Sequence, residues 1–201
     1  MAIDFTPASE FTQETRHLRI QTGLADDLLL LRRFHCVEGI SRLFHFDLDL
    51  LSPSGEIQPQ DIVGDNVSIT IHPENEPQRF FNGFVKSFQY MGLEKRGLYA
   101  YKAEVVPWFW FLSKRTDCRV FQNQTVQEIV EFIFKELGFP DYVFALVEDH
   151  PKLEYCVQYN ESDLDFISRL LEHEGIYYFF EHQPDKSILH LSDDASHYSD
   201  M

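Results

Sequence analysis

"VVPWFWFLSKRTD" (residues 105–117) divides the chain into two textures. Pro107 has no N–H to give a sheet ladder, so it ends the strand that runs into it. Trp108, Phe109, Trp110 and Phe111 follow without a gap, so they cannot share one face of a strand; they are expected to wedge between two layers. A subdomain boundary is placed near 112–117.

Upstream, the apolar residues recur with period two. "LFHFDLDLLS" (43–52) sets Phe44, Phe46, Leu48 and Leu50 on one face and His45, Asp47 and Asp49 on the other. "NVSITIH" (66–72) aligns Val67, Ile69 and Ile71. "LRIQT" (18–22), "FFNGFVKSFQY" (80–90) and "GLYAYKAEVV" (97–106) read the same way, and "DLLLLRRFHCVEG" (27–39) is long enough to bend across two partners. Alternation with a polar outer face is what half-buried antiparallel strands require. About six strands with short turns predict a barrel or sandwich over 16–112. Residues 1–15 are polar and mixed, and are expected to form a loose arm.

Downstream the period changes. "TVQEIVEFIFKELGFP" (125–140) is a helix reading: Thr125 and Glu128 make a capping-box pattern, Val126, Ile129, Val130, Ile133, Phe134 and Leu137 share a face, and Gly138 with Pro140 stops it. Phe132 lies off that face, which suits an exposed ring or a covered interface. In "VQYNESDLDFISRLLEHEGIYYFFEH" (157–182), Ser162 fits an N-cap with Asp163 and Asp165 in the first turn. Leu164, Phe166, Ile167, Leu170 and Leu171 form an apolar arc, Asp165 and Arg169 are spaced to pair, and Gly175 caps the end. "IYYFFEH" is then a strand with Tyr177 and Phe179 on one face and Tyr178 and Phe180 on the other. Both faces are apolar and expected to be covered. "SILHLSD" (187–193) returns as its hairpin partner. The fold class is therefore α+β and β-rich: an antiparallel barrel-like unit, then a smaller α/β subdomain over 113–201 with helices near 125–137 and 162–174 and a hairpin near 176–192.

The net charge is −16, with 10 basic and 15 acidic groups in residues 1–112 and 7 and 18 in residues 113–201. That balance argues against nucleic-acid binding and against docking on anionic lipid. The three cysteines, Cys36, Cys118 and Cys156, are far apart, which argues against a disulfide framework or a Cys-based zinc site. Cys118 and Cys156 read as buried structural thiols. No basic region followed by an apolar run opens the chain, and the longest apolar stretches are far short of a membrane span. A reducing cytosol is the expected place of folding, with any exit by a route that needs no cleavable signal.

Candidate chemistry is sparse. His173, His182, His190 and His197 lack HExxH or HxH spacing and read as surface or hairpin histidines. Glu172 and Glu174 point to different sides of their helix; Glu174 falls in the apolar arc but in the last turn, where it is expected to reach water. No nucleophile elbow, phosphate loop or dinucleotide fingerprint is present. The residues favour no enzyme, metal or cofactor; a carboxylate-based hydrolase near Glu174 is the alternative.

Two motifs together resemble the amino-terminal part of VgrG, the valine–glycine repeat spike protein of type VI secretion systems. One is Pro107-Trp108-x-Trp110-x-Leu112; the other is Gln158-Tyr159-x-Glu161-Ser162-Asp163, followed by Gly175. The resemblance spans about residues 16–194. It implies a non-enzymatic homotrimeric hub, similar to the baseplate hub of contractile phage tails, that sits on the tip of the hexameric Hcp tube. It further implies assembly in the cytoplasm, secretion through the type VI machine, and effectors or adaptors carried through regions beyond this chain. Phe132, Tyr177 and Phe179 are the expected interface residues. The chain stops at 201, so it is read as a fragment or truncated product with open strand edges. A phage-tail hub is the nearest alternative.

Overall fold

The computed structural model describes residues 11–74 and 76–195. Their contacts divide into two compact units. The first comprises the described residues up to Val37, with Phe44–Val106 and His182–Lys186; the second comprises Glu38–Leu43, Pro107–Glu181 and the described residues from Ser187 onward.

In the first unit six strands form one antiparallel sheet: β1 (Leu18–Gln21), β2 (Leu30–Val37), β3 (His45–Ser52), β4 (Asn66–Ile71), β5 (Arg79–Leu93) and β6 (Tyr99–Val106). Their order is β1-β4-β5-β6-β3-β2, and the sheet nearly closes on itself, as the alternation predicts. Phe46, Leu48 and Leu50 of β3 are buried while Asp47 is exposed. Val67 and Ile69 of β4 and Tyr101, Ala103 and Val105 of β6 complete the same interior. Tyr101 stacks on Phe88 at 4.9 Å, and its hydroxyl donates to the Ser54 carbonyl at 2.9 Å, so its polar tip is satisfied. Gly83 of β5 is required by close approach: a Cβ there would sit 2.7 Å from Val105 and 2.9 Å from the Val106 carbonyl.

Two expectations for this unit change. β2 does not bend across two partners; among the described residues it pairs with β3 alone, with an irregularity between Leu31 and Arg33. At that edge the Arg16 guanidinium donates to the Leu31 carbonyl at 3.3 Å. Gln13, expected in a loose arm, is buried because its amide makes a reciprocal pair with the Ile20 backbone, 2.9 and 3.1 Å; residues 1–10 of that arm lie outside the described residues. His182 lies on the hairpin strand Tyr177–His182, in keeping with the hairpin reading. Its ring packs against Phe44, Phe46 and Phe81 with centroids 4.9–5.6 Å apart, and its Nδ1 accepts from the Asn82 N–H at 3.1 Å.

The second unit holds β7 (Thr116–Phe121), α1 (Val126–Leu137), β8 (Tyr142–Ala145), β9 (Cys156–Ser162), α2 (Asp163–His173), β10 (Tyr177–His182, its last residue counted to the first unit) and β11 (Ser187–Ser192). β7 and β9 pair antiparallel, and β10-β11-β8 form a second sheet in which β8 and β11 run parallel. β7, β8 and β9 were not anticipated. Both helices fall where their caps place them. Thr125 Oγ1 accepts from the Glu128 N–H while the Glu128 carboxylate accepts from the Thr125 N–H, at 3.1 and 2.8 Å. Gly138 and Gly175 follow the helices with φ of 75° and 71°, which glycine adopts without a Cβ penalty.

A 3-10 helix spans Trp108–Lys114 and sorts the consecutive aromatics by depth. Trp108, Phe109 and Leu112 are buried; Trp110 and Phe111 are half-buried. Trp108 stacks on Phe139 at 4.7 Å and meets Phe134 of α1 edge-on at 5.0 Å. Lys114 lies over the Trp110 ring at 4.2 Å.

This sorting predicts unequal losses. Trp108→Ala is expected to destabilise by about 3–5 kcal/mol, and Trp110→Ala by less than half of that; equal shifts in a denaturant melt of the two variants would contradict the assigned depths.

Candidate functional site

The Gln158–Asp163 stretch is one of the two motifs whose combination carries the resemblance, and the structure makes it the meeting point of β7, β9, α1 and α2. β9 carries one extra residue against β7: Glu161 opposes Asp117 and Tyr159 opposes Cys118, leaving Asn160 as a bulge at φ 49°. Its N–H points to the Cys118 sulfur at 3.3 Å. Cys118 is exposed rather than buried as expected; Cys156 is buried, and burial pushes its thiol pKa up.

After the bulge, Ser162 caps α2. Its Oγ accepts from the Asp165 N–H at 3.1 Å and donates to the Asp165 carboxylate at 2.7 Å. Asp163 is the first helical residue and is fully buried. Its Oδ1 accepts from Arg119 at 2.5 Å and from the Gln158 amide at 2.8 Å. Arg119 also donates to Gln158 Oε1 at 2.5 Å and bridges Glu136 of α1 and Asp117 at 2.9 and 3.1 Å. Arg115 reaches the same Glu136 at 2.8 Å and lies 3.8 Å from Asp163 Oδ2. The Arg115 hydrogen bond holds the Glu136 carboxyl below its ordinary pKa. Two guanidinium groups thus face three carboxylates around one buried ion. A buried carboxylate is tolerated only with such partners.

Arg169 does not pair with Asp165 as its spacing suggested. Ser162 occupies Asp165, and Arg169 clasps Glu161 with two nitrogens, at 2.9 and 2.6 Å, while donating to the Val157 carbonyl at 2.8 Å. That contact lowers the Glu161 pKa. Of the motif residues, Pro107, Trp108, Leu112, Gln158 and Asp163 are interior, Glu161 and Ser162 are hydrogen-bonded at the entrance to α2, and Gly175 ends it. Tyr159 is 80% exposed, the outward member of the set. Among the expected interface residues, Phe132 is 49% exposed beside Phe121. Tyr177 donates to the Asp194 carbonyl at 2.6 Å, and Phe179 stacks on His190 at 5.0 Å. His173 faces solvent as expected, His190 lies 2.8 Å from Glu181 on the hairpin, and His197 lies outside the described residues.

A second cluster was missed. His150, in the segment between β8 and β9, lies between two carboxylates: Nδ1 is 2.9 Å from Glu174 and Nε2 is 3.0 Å from Asp193. Asp193 also accepts from the Val147 and Glu148 N–H groups at 2.8 and 3.0 Å. Glu174, expected to reach water, is 11% exposed because His150 covers it. Both ring nitrogens face an acceptor, which suits the imidazolium. The Glu174 hydrogen bond, opposed by burial and aided by Asp193, raises the His150 pKa. No ring nitrogen is left to take a proton from a substrate, so the geometry is that of a clamp on the 147–150 segment. Among the described residues, no helix is long and apolar enough to cross a membrane.

Residues 37–201 match the family model for the phage tail baseplate hub (GPD). The chain is 42% identical over 183 residues to the type VI secretion system spike protein VgrG1a of Pseudomonas aeruginosa, covering 90% of this chain and 28% of that protein. It is 37% identical over 183 residues to the spike protein VgrG1c of the same organism, covering 91% of this chain and 25% of that protein. Among solved structures it is similar to an E. coli component of the type VI secretion system described as structurally similar to the T4 bacteriophage tail proteins gp27 and gp5. That match has a TM-score of 0.74 at 26% identity and covers 85% of this chain and 50% of that one. The motif-based resemblance to the VgrG spike proteins is thereby borne out. The chain spans about a quarter of the length of these curated relatives.

Two outcomes are expected from the site. Arg119→Met leaves Asp163 buried with the Gln158 amide and, at 3.8 Å, the Arg115 guanidinium, and is expected to destabilise by about 3–5 kcal/mol, with Arg119→Met/Asp163→Leu recovering most of the loss; a double variant no more stable than the single one would refute the buried-charge account. The raised His150 pKa stabilises the fold fully below the unfolded histidine pKa, and that contribution is lost as pH rises through the folded value. Melting temperature is therefore expected to fall from pH 6 to pH 9 more steeply in the parent than in His150→Gln.

Proposed function

Since this chain belongs to the phage tail baseplate hub family, we propose that it is a structural hub module of a type VI secretion spike, forming a homotrimer that docks on the tip of the hexameric Hcp tube. The observation that carries this reading is the 42% identity to a type VI spike protein over 90% of the chain. The fold supports it. The most specific motif residues are used as internal scaffold around Asp163, and an acidic chain with a cross-linked interior suits a part that acts by shape. Cyclic symmetry would let three copies present a ring to a hexamer. Phe132 and Tyr159 are exposed aromatics on the second unit, and Phe132, Tyr177 and Phe179 are the proposed contact residues. Assembly would take place in the cytoplasm, with export through the type VI machine and effector or adaptor proteins carried elsewhere on the full assembly. No enzymatic step is assigned. A phage-tail hub is the second reading, favoured by the family match itself; neighbouring genes for capsid and head proteins, rather than a secretion sheath and tube, would decide for it.

Light scattering over a range of concentrations tests the trimer directly. A mass three times the 23.7 kDa of the chain is expected. Phe132→Glu is expected to lower that mass while the circular dichroism spectrum remains that of the folded chain, and a parent that stays monomeric at every concentration would remove trimerisation from this segment. Retention of the chain on immobilised Hcp hexamers tests docking separately.

A further inference from the structure

The outward face of the first unit's sheet carries four metal-competent side chains on three adjacent strands. β3 presents His45 and Asp47, two residues apart and so on one face. β2 places His35 opposite Asp47, and β6 places Glu104 opposite Asp47 from the other side. Strand register therefore holds the row in place, with no loop involved. One donor atom each from His45, Asp47 and Glu104 lie within 4.8 Å of one another. His45 Nε2 is 3.1 Å from Asp47 Oδ1, and His35 Nδ1 is 3.6 Å from Asp47 Oδ2.

We infer that this row binds one divalent transition-metal cation of the zinc class, with His45, Asp47 and Glu104 as ligands and His35 as the fourth. Imidazole and carboxylate together suit zinc, nickel or cobalt, whereas calcium and magnesium take all-oxygen sets. Ligand atoms at about 2.0–2.2 Å from a tetrahedral zinc lie roughly 3.3–3.6 Å apart. The donor atoms of His45, Asp47 and Glu104 need close by only about 1–1.5 Å to reach that spacing, while His35 would join by rotation of its 63% exposed side chain. Two carboxylates and two neutral imidazoles would balance the charge of the ion. The neighbouring Asp49 is held by Arg33 at 2.8 Å, which bounds the row on that side. A shallow groove of about 550 Å³, bordered by His35, Asp47, Glu104 and Lys102, opens the row to solvent. One competitor is already in place: Lys86 Nζ lies 2.8 Å from Glu104 Oε2, where its charge neutralises a ligand the ion needs.

That competitor distinguishes a metal site from a row of ordinary cross-strand ion pairs. The full chain, stripped with a chelator, is titrated with Zn²⁺ against a chromophoric competitor near neutral pH. One ion per chain is expected, with a Kd of about 1 µM or below. His45→Ala and Glu104→Gln are each expected to weaken binding at least tenfold, and Lys86→Met to tighten it several-fold, while excess Ca²⁺ does not compete. Cys118→Ser and His173→Ala, at other exposed donors, leave it unchanged. Absence of binding up to tens of micromolar, or binding that follows Cys118 or His173 and ignores His45 and Glu104, would overturn the assignment. Circular dichroism checks folding of each variant, and the isosteric Glu104→Gln carries the test should His45→Ala unfold.

Discussion

The second unit is organised by one ion pair, Arg119 with Asp163. The carboxylate has no exposure to water, so every partner it has must come from the protein. Arg119 comes from β7, Gln158 from β9, and Asp163 itself opens α2; through Glu136 the same guanidinium reaches α1. Four elements are thereby fixed against one another by directional bonds. A buried pair of this kind adds little net stability, since removing two charges from water costs several kcal/mol per ion. What it adds is selectivity of arrangement: a slip of β9 by one residue would turn Gln158 outward and leave the carboxylate isolated. The bulge at Asn160 serves the same end, rotating the chain between Tyr159 and Glu161 so that the strand can run directly into a capped helix.

That interaction also explains where the sequence was legible. β3, β4 and β6 carry apolar residues inward and polar residues outward, and their alternation could be read directly. α1 and α2 announce themselves by caps and by an apolar arc. β7 and β9 invert the rule: β7 turns Arg119 inward and leaves Val120 exposed, and β9 buries Gln158 while Tyr159 faces out. A reading based on apolar periodicity passes over strands whose buried side chains are polar. The His150 clamp was hidden for a different reason. Its partners lie 24 and 43 residues away, and proximity of that kind is created only by the fold. Arg169 shows the local version, since spacing offered Asp165 but the N-cap hydroxyl had already engaged it.

The most recognisable residues are thus mostly interior ones. Their chemistry, a charged pair, an indole and a glycine at positive φ, is spent on holding shape. Surfaces that would meet other molecules are made of less distinctive residues, such as Phe132 and the polar outer faces of the strands. On the proposed hub role this division is physically reasonable: the interior would fix the contour that a symmetric assembly reads.

The strand order has a consequence during synthesis. β3 is hydrogen-bonded to β6, with Leu50 opposite Tyr101, so about 50 residues must leave the ribosome after β3 before its central neighbour exists. At about 5–20 residues per second, the Phe46–Leu48–Leu50 face would wait roughly 3–10 s for that cover. Pairings between distant segments also form slowly once both are available. The nascent chain therefore passes through an interval in which β3 is paired with β2 but still lacks β6 on its other edge. In that interval the edge of β3 that later meets β6 carries unpaired N–H and C=O groups, a template open to pairing with another chain.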